Sequence, residues 1–295
     1  MTTLALKLIA IGCMLIDHTA IVLLYAGCLR GGVLYAALRA AGRMAFPLFC
    51  FLLANGFEKT RDRKTYLTRL LLLAAVSQLP YSLALTEGNY PAAPGPVHLA
   101  LLPGWWLIVP TALCFLLTVC GARADRSFFV FLLAALVGQL RLTVGSITVL
   151  GEKGNVFYTL ATGLALMMAQ EKADDEHVPV GKKLLGLAGM VLWLLSVQIR
   201  AAYSLWGVWL MLGLTLIRYW RSMKACRELL QGAVLLLWSI LLYAGQSLWF
   251  SLAAGLTAMA PLLYNGRPGK GTHRLFYAVY PVHLMLLWIG FGVIM

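Results

Sequence analysis

Hydrophobic positions along this chain come in long unbroken runs, each closed by a cluster of charges or by Pro and Gly. The runs fall near 4–25, 33–55, 67–86, 105–121, 128–149, 155–170, 184–199, 203–217, 232–248, 251–264 and 275–294. About 20 mostly apolar residues make a helix that crosses a bilayer. The pattern therefore predicts an all-α, polytopic transmembrane helical bundle of about eleven spans (10–11), with residues 1–295 as a single integral-membrane domain. The stretch 232–264 is divided because it is too long for one crossing, and unbroken runs exclude a β-barrel, whose strands alternate residue by residue.

Composition agrees. Hydrophobic residues make up 61% of the chain and charged residues 12%, where a soluble domain carries about 25%. The first run resembles a signal peptide only superficially. Tyr25 occupies the place where a lipoprotein cleavage box wants an aliphatic residue, no basic segment precedes the run, and the run is long enough to span. Six cysteines, Cys13, Cys28, Cys50, Cys114, Cys120 and Cys226, form no CxxC pair or metal-ligand spacing. They read as small packing residues, and no metal is expected.

The formal charge of +13 would suggest nucleic acid as a partner of a soluble protein. Its distribution gives another meaning. Seventeen of the 24 Lys and Arg fall in alternate connections: 56–69, 122–127, 171–183, 218–231 and 265–274. Arg30, Arg141, Lys153 and Arg200 make up the other set of connections, and Lys7, Arg39 and Arg43 lie inside the first two runs. The positive-inside rule then places the N-terminus in the cytoplasm and, with eleven spans, the C-terminus outside, in a bacterial inner membrane. No nucleic-acid partner is expected, and membrane lipids are. Trp105, Trp106, Trp206, Trp209 and Trp220 near the span ends form an interfacial belt. The loop 87–104, with Pro91, Pro94, Pro96 and Pro103, is expected to be an ordered external cap or short re-entrant piece. Hydropathy reveals no internal repeat, which weighs against a secondary transporter.

Ionisable residues inside a bilayer cost roughly 2.5 kcal/mol or more each and mark function. The first run carries Asp17 and His18, the second Arg39 and Arg43, the last Tyr277, Tyr280 and His283. At 1.5 Å per residue, His18 lies about 10 Å below the outer end of its helix and Arg43 about 15 Å below the outer end of the next. Arg39 and Arg43, four residues apart, share a face that Asp17 can neutralise, with Arg43 as its expected partner. Pro47 is expected to leave the Arg43 carbonyl without its helical donor. Asp17 and His18, adjacent on a helix, point about 100° apart and serve different neighbours. His283, about 12 Å deep from the other side, and His18 are expected at different depths, suiting receipt of a group on one side and its delivery nearer the other. Gln78 with Tyr81, and Asn155 with Tyr158 and Thr159, are further polar candidates; Asn155 also suits a helix cap. Tyr264-Asn265-Gly266 lies before the last basic loop.

Residues 6–10 (Leu-Lys-Leu-Ile-Ala), Met14 through His18, Gly42 through Phe49, Gly56-Phe57 with the basic run to Tyr66, Ser77 through Tyr81, Asn155 through Leu160, Tyr203 with Gly207-Val208, Tyr264 through Gly266, and Phe276 through Leu284 together resemble the TraX family. That family is named for a conjugative-plasmid protein associated with N-terminal acetylation of pilin. The resemblance runs from residue 6 to 284. One departure is Ala202, where the family usually has an Asp before the Tyr matched by Tyr203, so the acceptor differs from the pilin case if that Asp contacts it.

The resemblance implies a polytopic, acetyl-CoA-dependent acyltransferase that moves an acetyl or short acyl group to an amine or hydroxyl. The acceptor would be a protein N-terminus, a glycan or a lipid-linked group. Acyl transfer needs a base, an oxyanion donor and a dry site. His18 is expected as base, with Asp17 compensating Arg43, Arg43 or Tyr280 as donor to the carbonyl, and His283 beside them. Arg61, Arg63, Lys64, Arg69 and Arg274 would hold the CoA phosphates. Arg39, Gln78, Tyr81, Asn155, Tyr158 and Tyr203 would line the acceptor site. Two alternatives stand: a proton-coupled transporter or lipid flippase using Asp17, His18 and Arg43 as a relay, and a non-catalytic component of a conjugation or secretion assembly.

Overall fold

The computed structural model describes residues 1–219, 226–269 and 275–294. Trp220, Arg221, Lys224, Lys270 and Arg274 lie outside the described residues. The described chain is mostly helical. Its α-helices are α1 (Thr3–Tyr25), α2 (Val33–Gly42), α3 (Ala45–Lys59), α4 (Arg63–Ala84), α5 (Ile108–Thr118), α6 (Arg126–Val137), α7 (Val156–Asp174), α8 (Val180–Ser196), α9 (Ser204–Tyr219), α10 (Arg227–Tyr243), α11 (Leu248–Gly255), α12 (Ala260–Leu263) and α13 (Leu275–Trp288). Strands β1 (Val97–Leu101), β2 (Leu140–Val144) and β3 (Ile147–Leu150) form an antiparallel sheet in that order.

Among the described residues, four helical stretches are long and apolar enough to cross a membrane: Thr3–Tyr25, Val33–Lys59, Arg63–Ala84 and Val180–Arg200. Others are shorter. The 11-residue α5 and 12-residue α6 rise only about 17–18 Å, against a hydrocarbon core near 30 Å.

Helix starts follow the polar residues that precede them. Thr2, Asp62, Asp125 and Asn155 each accept a backbone N–H from the first turn of α1, α4, α6 and α7, which satisfies donors that have no partner within the helix. Two of the expected runs are not single regular helices. The run 33–55 breaks at Arg43-Met44, and Pro47 falls in the first turn of α3, where a missing N–H costs no helical bond. Pro47 thus starts a new helix instead of disturbing an existing one. The run 128–149 is not one helix: α6 ends at Val137, and a hairpin follows. The β-branched residues Thr143, Val144, Ile147 and Thr148 flank Gly145, whose φ of +62° suits the tight turn. A side chain there would strike the Ala93 carbonyl. The loop 87–104 supplies β1, paired with β2 through Leu99↔Leu142, so it is ordered as expected. Asn89 ties it down, donating to the Ser82 and Leu83 carbonyls and accepting from Thr148 N at 2.6 Å.

The chain divides into two compact units, Met1–Glu58 with Trp209–Met295, and Lys59–Val208. In the first, Leu6 and Ala10 of α1 meet Leu48, Phe51 and Leu52 of α3 and Ala260 of α12 in a buried cluster. α1 also packs on α2 and α13. In the second, Phe115 and Phe131 stack at 4.2 Å, and Trp193 lies against Phe131. Beneath the aromatics runs a polar network. Trp193 Nε1 donates to Thr162 Oγ1 (2.8 Å), which donates to Gln198 Oε1 (2.8 Å), whose amide reaches Thr159 Oγ1 and the Ser204 carbonyl.

Candidate active site

Asp17 on α1 faces α2, and its carboxylate Oδ1 lies 2.6 Å from Arg39 Nη1, both side chains only 15% exposed. The approach depends on Gly42. A Cβ at that position would overlap the Asp17 side chain, so the helices come this close only because glycine presents no side chain. Arg39 makes the ion-pair contact with Asp17, and the charge of Arg43, the expected partner, acts on the same carboxylate. Arg43 instead has its guanidinium carbon 5.6 Å from the Tyr243 ring centre and 5.1 Å from that of Phe250, a cation–π arrangement. It remains close enough to Asp17 to interact electrostatically. The reason is geometric: the Arg43-Met44 break ends α2, so Arg43 follows the turn toward α10 and α11 while Arg39 stays on the helical face. Two guanidiniums and one carboxylate leave this cluster with one excess positive charge.

His18, next along α1, turns to α13. Its Nδ1 lies 2.8 Å from His283 Nε2, and the rings are within 2° of parallel with centres 5.1 Å apart. So short an N···N distance between parallel rings is an edge-to-edge hydrogen bond, not a stack. The two histidines expected at different depths therefore form one pair. Tyr280 closes the group, its ring set edgewise against His18 at 5.7 Å and His283 at 5.6 Å. Tyr280 is buried, 3% exposed.

The second nitrogen of His283, Nδ1, lies 2.7 Å from the Val279 carbonyl. A carbonyl only accepts, so Nδ1 carries hydrogen. In a neutral ring Nε2 then holds a lone pair, and the hydrogen shared with His18 belongs to His18 Nδ1. Neutral His18 in turn keeps its own Nε2 unprotonated. One backbone carbonyl thus sets the direction of the whole chain, from Val279 O through His283 to a basic nitrogen on His18.

Other expected site residues have structural employment. Gln78 donates to the Lys153 carbonyl (2.8 Å) and Ser82 Oγ (3.2 Å), and accepts from Asn155 N and Nδ2. Asn155 caps α7 and donates to the Ala74 carbonyl at 2.7 Å. These amides are fully buried, and their hydrogen bonds run within the protein. Tyr158, also fully buried, donates to the Ala134 carbonyl at 2.9 Å. Tyr203 takes a left-handed φ of +63° in the turn before α9, beside Ala202, whose carbonyl accepts from Thr159 Oγ1. Tyr81 is half-buried on α4. Of the cations expected to hold CoA, Arg63 pairs with Glu171 at 2.5 Å and Lys64 with Asp125, whereas Arg61 and Arg69 are exposed. Arg274 lies outside the described residues.

Sequence reasoning missed the contact between the histidines and the aromatic clamp on Arg43. The spacing Val279-x-x-x-His283 held a usable signal, since a histidine four residues after a helical carbonyl can reach back to it.

Fold and site together define a helical membrane protein that gathers ionisable side chains of α1, α2 and α13 inside its apolar body. The TraX protein family profile matches residues 3–150 and 131–290, and the chain belongs to that family. It is also similar to "Probable fimbrial assembly protein FimC, serogroup H1" of Dichelobacter nodosus, 28% identical over 292 residues, covering 96% of this chain and 92% of the relative. No solved structure matches.

Proposed function

We propose that the protein is an acyltransferase of the bacterial inner membrane, moving an acetyl or short acyl group from acyl-CoA to an amine or hydroxyl acceptor. The hydrogen bond between His18 and His283, oriented by the Val279 carbonyl, is the observation that carries this reading. It leaves His18 Nε2 as a general base whose imidazolium form would be stabilised by the acceptor nitrogen of His283. The acceptor's X–H proton goes to Nε2 as the new X–C bond forms at the thioester carbonyl. Its oxygen becomes an oxyanion, stabilised by the excess positive charge of Arg39 and Arg43 over Asp17. Collapse breaks the C–S bond, and the departing thiolate takes the proton from His18 to leave free CoA. His283 is a positioning residue, and Tyr280 packs both rings.

The basic connections support an orientation with the N-terminus and loops 56–69 and 171–183 in the cytoplasm. The fimbrial name of the relative supports an acceptor among the proteins of surface-fibre assembly.

Purified protein in nanodiscs, given radiolabelled acetyl-CoA and cell-envelope acceptors, tests the proposal. His18→Ala should lower transfer about 10²–10⁴-fold, the usual contribution of a general base, and leave acetyl-CoA binding intact. His283→Phe should shift the pH profile of transfer without changing acetyl-CoA affinity. Normal transfer by His18→Ala would refute the assignment. The relative's name also favours a second reading, a non-catalytic assembly component, under which His18→Gln keeps full function in cells.

A further inference from the structure

The Lys59–Val208 unit contains a cavity of about 190 Å³ among α4, α5, α6, α7 and α8. None of the residues expected at the active site lines it. Leu67, Leu71, Phe115, Phe131, Met168 and Trp193 make most of its wall apolar, so water gains little by entering. One part of the lining differs in character, for Lys172, Lys182 and Lys183 contribute to it. Lys172 donates to the carbonyl of Thr118, the last residue of α5, at 2.5 Å, and Lys183 to that of Ala173, near the end of α7, at 2.6 Å. Helix C-terminal carbonyls therefore hold these ammoniums in place. The carboxylates of the adjoining turn, Asp174, Asp175 and Glu176, are exposed and do not line the cavity. Lys172 and Lys182 lie close enough to repel each other, and an anion between them would relieve that repulsion.

An apolar chamber edged by ammonium groups matches an acyl chain that ends in a phosphate. The source follows from the surroundings. Leu113 on α5 and Leu184, Leu187 and Val191 on α8 are largely exposed, and α8 belongs to a stretch able to cross a bilayer. In a bilayer crossed by the Val180–Arg200 stretch, acyl chains would lie against α8, which also walls the cavity. We propose that this cavity binds a membrane phospholipid with an anionic headgroup, one acyl chain in the chamber and its phosphate on Lys172, Lys182 and Lys183. The cavity shares no lining residue with the site proposed above for acyl transfer.

Native mass spectrometry of the full chain, exchanged into mixed micelles of phosphatidylglycerol and phosphatidylcholine, tests it. The wild type should retain phosphatidylglycerol at least about tenfold better. The triple variant Lys172→Gln, Lys182→Gln, Lys183→Gln should lose that preference yet still take up lipid. Ala165→Phe, which fills the chamber, should retain neither; should it fail to fold, the lysine variant decides alone. Equal retention of both lipids by the wild type would overturn the proposal, as would an unchanged preference in the triple variant. Complete displacement of phosphatidylglycerol by equimolar tetradecanoyl-CoA would also overturn it, marking the chamber as an acyl-donor pocket.

Discussion

Replacing Asp17 by Asn keeps the side chain's shape and removes its charge, which isolates the contribution of the pair with Arg39. The partners lie 2.6 Å apart and are each 15% exposed. With charge centres about 4 Å apart and an effective dielectric near 20, their attraction is about 4 kcal/mol. Removing one member of a buried pair costs roughly 3–5 kcal/mol, because the remaining charge is left without compensation. Residual exposure screens part of this, so Asp17→Asn should destabilise by about 3 kcal/mol, or roughly 6–10 °C in melting temperature. Thermal unfolding in detergent should be followed for Asp17→Asn, for Arg39→Gln and for the double variant Asp17→Leu, Arg39→Leu. The double variant removes both charges together and should lie within about 1 kcal/mol of the wild type. If the two single losses simply add in an Asp17→Asn, Arg39→Gln protein, to within about 0.5 kcal/mol, the ion pair is not coupled and the reasoning fails.

Gly42→Ala should destabilise by about 1–3 kcal/mol, since its methyl would occupy the space of the Asp17 side chain; combining it with Asp17→Ala should recover part of the loss in the same melts. Gln78→Leu should cost about 3 kcal/mol, because it strands the Lys153 carbonyl and the Asn155 donors in a buried site, and faster hydrogen exchange at residues 151–156 would report it. Asp125 caps α6 and is held below the ordinary carboxylate range chiefly by the hydrogen bond from Lys64, as Asp62 is by Thr65. A lowered folded value means that this contribution is complete at neutral pH, begins to fade near pH 4 and disappears as pH falls through the lowered value. Stability measured from pH 7 to pH 3 should therefore fall less steeply in Asp125→Asn than in the wild type.

Much of the molecule is legible in order of residues alone. Repeated apolar runs near the length of a membrane span identify a membrane protein, and rare charges within them single out Asp17, His18, Arg39, Arg43 and His283, because the cost of burying such groups is a local property of each residue. Capping by Asn155 is local too, and follows from its place before an apolar run. The hairpin at 140–150 was also written in the chain, in Gly145 and its β-branched neighbours, but total hydrophobicity masked it. Partner choice is different. Whether Asp17 meets Arg39 or Arg43 depends on a break between α2 and α3 and on the missing side chain of Gly42. Whether His18 touches His283, 265 residues away, depends on how α1 packs against α13. Such contacts arise from the relative placement of helices whose lipid-facing and protein-facing sides are almost equally apolar, so no periodicity along the chain encodes them, and only the packed structure decides them.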